Sequence, residues 1–291
     1  MASLKDIQRR IRGVKKTQQI TSAMRMVAAA KLRRSQDAIL AARPYARRMY
    51  AVLGELGRRQ KGAAHPLLEE RPHGRSLELL VVTSDRGLCG AFNNSILKTA
   101  QRVLAEQRQE YDRVFVTPVG RKADEFFRRR VPEDMPRRWV GLSRVDHALA
   151  ADVAEHLSKR YVNLEIDGAV AVYGEFVSAM TQQPRVAPLL PLSADRDIEE
   201  AGSADALPFQ IEPDARTLLD ILVPQALEFS VFRILLENQA GEHAARMTAM
   251  ESATRNTEEL IEKLTLQFNR ARQAAITKEL MEIVSGAEAL G

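Results

Sequence analysis

The stretch with the strongest claim to chemistry is Asp85-Arg86-Gly87-Leu88-Cys89-Gly90. It follows a short apolar run, Leu77-Glu78-Leu79-Leu80-Val81-Val82-Thr83, that reads as a buried strand. In open α/β sheets ligands bind beyond the carboxyl ends of such strands. Gly87 and Gly90 suit either a cradle for an anion or a simple turn, and the turn is the preferred reading. Cys89 as a nucleophile would need a base, and no histidine lies near it in sequence, so a small packed thiol is preferred. The chain has no G-x-x-x-x-G-K-[ST] loop and no G-x-G-x-x-G after a strand. His65, His73, His147, His156 and His243 show no metal spacing, and His243 falls where a polar residue sets register. Glu69-Glu70 and Glu258-Glu259 read as solvated faces rather than acid/base pairs. Nothing looks catalytic, and neither cofactor nor metal is expected.

The middle of the chain alternates strands and helices. After the first strand, Asn93 or Asn94 is expected to cap a helix reaching Gln109. Val114–Thr117 is a second strand, closed by Pro118 and Gly120 and followed by a helix from Lys122 to Arg130. Trp139–Leu142 suits a short third strand, before a helix from Val145 to Leu164. Ala169–Tyr173 forms another strand, with a possible continuation to Met180. Val186–Leu192, flanked and interrupted by Pro184, Pro188 and Pro191, suits only an edge strand. This pattern predicts an α/β, Rossmann-like domain over 76–193 with a mostly parallel sheet. A polar connector, Gly57 to Arg75, precedes it, and a turn-rich linker, 194–208, follows it.

Both ends of the chain carry a different period. From Leu236 one register reads Ala240, His243, Met247, Met250, Thr254, Thr257, Ile261, Leu264, Phe268, Ala271 and Ala275. Steps of four and three alternate without a slip, the period of a supercoiled seam. From Ile7 the same steps give Ile11, Val14, Gln18, Thr21, Arg25, Ala28, Leu32, Ser35, Ile39, Ala42, Ala46, Met49, Leu53 and Leu56. Ser3 is the expected N-cap of this first helix and Gly57 its stop, with a bend at Pro44. At 1.5 Å per residue a helix from Pro224 to Gly286 would be roughly 95 Å long, too long for a compact core. Asp214 begins a short helical turn, and Pro224 is expected to kink it or start it afresh. The simplest arrangement is a long antiparallel coiled coil of residues 1–57 and 209–291. Its seam is rich in Ala, Ser and Thr, which allows close approach but buries little area.

The 291 residues suffice for one or two domains, and a lone cysteine excludes an internal disulfide and suggests a reducing compartment. No run approaches a membrane span. The basic, amphipathic start resembles a transit peptide, but the heptads begin by Ile7 and leave no cleavable leader. Residues 1–60 hold fifteen Lys and Arg against three Asp and Glu, while 209–291 hold eight against thirteen. That asymmetry favours pairing of the two ends and leaves the first helix seeking an acidic partner. Nucleic acid is disfavoured as that partner, because aromatic residues hardly interleave the basic face.

Three segments together resemble the gamma subunit of the rotary, proton-translocating ATP synthase. They are Ile20-Thr21-Ser22-Ala23-Met24-Arg25-Met26-Val27-Ala28-Ala29-Ala30-Lys31-Leu32, Asp85-Arg86-Gly87-Leu88-Cys89-Gly90, and Glu242-His243-Ala244-Ala245-Arg246-Met247-Thr248-Ala249-Met250-Glu251-Ser252-Ala253-Thr254. The terminal pattern I-T-x-E-x-x-[DE]-x-x-x-G-A is matched at Ile276, Thr277, Glu279, Glu282, Gly286 and Ala287. The resemblance implies a non-catalytic rotor shaft inside a ring of alpha and beta subunits, with its α/β domain near epsilon and the membrane c-ring. Rotation would couple proton flow to ATP synthesis or hydrolysis on beta.

By position, the resemblance places Met24 near an acidic loop of beta, and Arg272 and Gln273 at the beta catch loop. Phe209, Ile211 and Glu212 match the foot that faces the c-ring, although aromatic residues are often found at the place of Ile211. Ala275, Ile276, Ile283 and Val284 are the expected bearing tip. With Cys89 alone the chain lacks the two-cysteine switch of plant-type relatives. The missing leader favours a bacterial protein, peripheral to the cytoplasmic face of the cell membrane. Two other readings stay open: an enzyme using the α/β domain, and a basic coiled-coil protein that binds nucleic acid.

Overall fold

The computed structural model describes residues 4–59, 65–71, 74–142, 145–193, 212 and 214–288. Ser3, the linker 194–208, Phe209 and Ile211 lie outside the described residues. Long helices occupy both ends of the chain, α1 over Leu4–Arg59 and α5 over Ala215–Glu288. Between them run β1 (Ser76–Val82), α2 (Phe92–Glu110), β2 (Arg113–Val119), α3 (Arg121–Phe127), α4 (His147–Val162), β3 (Gly168–Phe176) and β4 (Gln182–Leu190). The chain divides into two compact units, residues Met1–Ala28 with Arg246–Gly291, and residues Ala29–Ala245.

In the first unit the helices run antiparallel. Gln18 Nε2 donates to Glu258 Oε1 (3.1 Å) and the Thr21 and Thr254 hydroxyls lie 2.8 Å apart, so climbing one helix descends the other. Ile7 therefore comes level with Phe268, Ile11 with Leu264 and Val14 with Ile261, as the two heptad registers require. Ile7, Thr21, Ala28, Met250 and Leu264 are buried, while Gln8, Arg12, Lys15 and Arg255 off the seam are exposed. Arg25 departs from the register. It is exposed and Met24 is half-buried instead, because a guanidinium gains more from water than from an apolar seam.

In the second unit the sheet has the order β2-β1-β3-β4. β1 pairs parallel with β2 and β3, and β4 returns antiparallel along β3 as an edge. Side chains alternate across β1. Leu77, Leu79 and Val81 join α2 and α3 in one core, whereas Leu80 and Val82 join α4, the end of α1 and α5 in the other. The second core takes Met49, Tyr50, Leu53 and Leu56 from α1 and Leu219, Val223, Leu227, Ile234 and Leu235 from α5. At about 1.5–3 kcal/mol for each fully buried large aliphatic side chain, these contacts outweigh the propensity cost of the helices' interruptions.

Several expected boundaries move. α1 continues through Pro44 and past Gly57, so that glycine is not a stop. α2 begins at Phe92 behind Ala91, not under an asparagine cap, because Asn93 is drawn inward by Ser84. Trp139 makes only an isolated bridge to Val119 in place of a short strand. α5 starts at Ala215 and runs through Pro224 without a fresh start. Asp214 caps it, accepting from the Arg216 and Thr217 amides at 2.9 and 3.0 Å. Exposed Pro224 forfeits one backbone bond, while Val223, Ala226 and Leu227 beside it are buried.

Candidate functional site

β1 connects through α2 to β2 on one side and the chain later returns as β3 on the other, so the crevice after β1 is a topological switch point. Thr83 to Gly90 lie there, opposite the first turn of α3. A nucleotide-binding sheet would leave the helix amides free for phosphate. Here the chain satisfies them itself. Asp85 Oδ1 accepts from the Arg121 amide at 2.7 Å, the Ser84 carbonyl from Lys122 at 3.2 Å, and Thr83 Oγ1 from Ala123 at 2.9 Å. The Asp85 carboxylate also accepts from the Gly141 and Leu142 amides. Gly120 is required at the close approach. With φ at 100°, a Cβ on it would sit 2.3 Å from the Thr83 carbonyl oxygen. The acidic side chain thus stands where an anion would, and the loop is a closed turn.

Cys89 belongs to the same turn. Its thiol is buried and accepts from Asn93 Nδ2 at 3.2 Å, and the Asn93 amide oxygen takes the Ser84 amide at 3.0 Å. Among the described residues no cluster of His, Cys, Asp and Glu suits a metal ion. Glu69, Glu70, Glu258 and Glu259 are exposed. Glu78 is the feature that sequence reasoning missed. Fully buried in β1, its carboxylate accepts from Thr117 Oγ1 (2.5 Å) and Arg160 Nη1 (2.5 Å) and contacts His156 Nε2 at 3.0 Å. A carboxylate inside an apolar strand was the available signal, since a buried charge requires partners. This network ties α4 to the sheet.

The exposed surface of the first unit differs in kind. Ile20, Met26 and Val27 of α1 are each more than half exposed, as are Leu266, Leu280, Met281, Ile283 and Val284 of α5. A groove of about 320 Å³ is lined by Gln18, Gln19, Ser22, Ala23, Met26, Thr254 and Glu258. Leu4, the first described residue of α1, comes level with Ala271. Arg272, Gln273, Ala275, Ile276, Ile283 and Val284 therefore lie beyond the described part of their partner helix, and all but half-buried Ala275 are exposed. Met24 stands well below them on the pair and is not brought together with Arg272 and Gln273. Lys5, Arg9, Arg10, Arg12, Lys15 and Lys16 are exposed on α1. In the second unit Glu212 is exposed.

No helix among the described residues is long and apolar enough to cross a membrane. A family model described as ATP synthase matches residues 3–290. The ATP synthase gamma chain of Anaeromyxobacter sp. (strain Fw109-5) is 48% identical over 294 residues, covering 100% of both chains. That of Geobacter metallireducens is 48% identical over 292 residues, covering 100% of this chain and 99% of its own. Among solved structures, a chain of the Tetrahymena thermophila mitochondrial ATP synthase central stalk and c-ring is 26% identical, with a TM-score of 0.60 over 80% of this chain and 99% of that one. A chain of the Euglena gracilis mitochondrial enzyme, 22% identical, shares the fold with a TM-score of 0.66 over 99% of this chain and 94% of its own. The long paired helices, the self-satisfied switch point and similarity along the whole chain lead to one assignment: the chain belongs to the ATP synthase gamma chain family.

Proposed function

We propose that this non-catalytic gamma chain acts as the central shaft through which proton flow in the membrane sector drives ATP synthesis or hydrolysis on the beta subunits. The observation that carries the reading is the run of exposed apolar side chains on α5 beyond Ala271. A helix end in water would not keep Ile276, Leu280, Met281, Ile283 and Val284 together, so a surrounding ring is their natural environment. Small residues such as Ala274 and Ala275 among them suit a bearing that does not lock into any one subunit.

Within this reading Met24 meets an acidic loop of beta, and Arg272 and Gln273 meet its catch loop. Phe209, Ile211 and Glu212 form the foot against the c-ring, with epsilon beside the α/β domain. The exposed cations of α1 give the acidic loop a partner, at about 0–1 kcal/mol per exposed pair. The complex would hold the chain at the cytoplasmic face of a bacterial membrane, as a peripheral subunit.

Purification through an affinity tag on this chain tests the reading. Two larger subunits with phosphate-binding loops should accompany it stoichiometrically, and calorimetry of the isolated chain should show no micromolar ATP binding. Isolation without such subunits, or tight nucleotide binding by the chain alone, would overturn it.

A further inference from the structure

Gly241 sits in the interior of α5, where a glycine weakens a helix by about 1 kcal/mol relative to alanine. Its surroundings account for it. A Cβ on Gly241 would lie 2.9 Å from Cε2 of Phe92 and 3.3 Å from the carbonyl oxygen of Gly174. A Cβ on Gly174 would lie 2.4 Å from the same ring atom. Helix α5 and strand β3 thus cross with two glycines facing one buried ring at the start of α2.

One turn earlier on the same face of α5, buried Asn238 accepts the Gly174 amide at 3.1 Å through Oδ1. That amide needs a partner, because β1 pairs with β3 only as far as Val172. The helix therefore completes the hydrogen bonding of the strand. One turn later, Ala245 packs on the core beneath α2. Three successive turns of α5 are held by backbone approach, a buried amide and a ring, and beside them the Glu237 carboxyl of α5 bonds the Tyr173 hydroxyl of β3.

We infer that this crossing is a rigid mechanical joint, with Gly174, Gly241, Phe92 and Asn238 as positioning residues that carry torque between the sheet and α5. The inference rests on the shaft reading. If c-ring and epsilon load the α/β domain, force must reach the helix that continues to Glu288, and a loose crossing would dissipate rotation as twist.

The test uses the whole membrane-bound complex, with hydrolysis, ATP-driven proton pumping and single-molecule angular fluctuations measured on each variant. Gly241→Ala and Asn238→Leu should assemble and hydrolyse ATP near the wild-type rate, while protons pumped per ATP fall about two- to threefold and the fluctuations broaden. Phe92→Leu added to Gly241→Ala makes room for the methyl group and should restore pumping. Unchanged pumping ratios and fluctuations in Gly241→Ala and Asn238→Leu would overturn the joint, as would a parallel loss of hydrolysis and pumping in both variants. Failure of the wild-type chain to enter the complex at all would refute the shaft reading instead.

Discussion

The hydroxyls of Thr21 and Thr254 lie 2.8 Å apart across the two helices of the first unit, and this contact fixes which residues of α1 and α5 are level. Each hydroxyl also reaches a carbonyl of its own helix, Gln18 at 3.1 Å and Met250 at 2.8 Å. A polar pair facing across the seam favours this register, because sliding by a heptad would part the two hydroxyls.

Replacing one of the pair removes the hydroxyl contact between the helices and leaves the other hydroxyl only the carbonyl of its own helix. Thr21→Val and Thr254→Val should each destabilise the helix pair by about 1 kcal/mol, and the double variant should cost less than the two losses combined. Urea unfolding followed by circular dichroism provides the cycle. Strict additivity would mean that the hydroxyls do not interact.

The end of α4 holds a strained leucine. The Glu165 amide donates to the Arg160 carbonyl at 2.9 Å and the Leu164 amide to Tyr161 at 3.1 Å, the double bond of a Schellman cap. Leu164 occupies its left-handed position at φ 61°, where glycine is the ordinary choice, and its side chain is 72% exposed. Leu164→Gly should therefore stabilise the chain by about 1 kcal/mol, read as a higher urea midpoint. A lower midpoint would show that the leucine makes a contact worth more than its strain.

The seam was legible from side-chain type alone, since a period of four and three needs no knowledge of the partner. So was the edge position of β4, because prolines cannot complete an inner ladder. Arg25 escaped because a long cation leaves a seam position without disturbing the backbone. Asn93 misled because local cap chemistry yields to a tertiary partner, Ser84. The bonds of Asp85 to Arg121 and Gly141, and of Glu78 to His156 and Arg160, join residues far apart in sequence. Only the strand order brings those groups together.

Glu237 gives the second unit a pH dependence. Burial raises its carboxyl above the ordinary 4.5, only partly offset by the Arg233 charge and the Tyr173 hydroxyl. The folded state therefore holds a proton that the unfolded chain has released, so stability falls as pH rises from about 4.5 through the raised value. Glu237→Gln should raise the unfolding midpoint at neutral pH and leave it unchanged below pH 4.5. An equal shift at both extremes would assign the effect to packing rather than to charge.

The exposed tail of α5 separates partner contact from self-packing. Ile276, Ile283 and Val284 are 49%, 68% and 51% exposed and lie beyond the level of Leu4, so they contribute little to the fold of the free chain. Changing all three to serine should move the stability of the isolated chain by no more than about 0.5 kcal/mol per site. A ring that encloses the tail would lose roughly 25 cal/mol for each Å² of apolar contact removed, enough to weaken assembly measurably. The triple variant should therefore unfold like the parent yet assemble poorly with the catalytic subunits in a native-gel titration. Normal assembly would show that the ring does not grip these side chains, whereas a large loss of stability in the free chain would show that they pack within it.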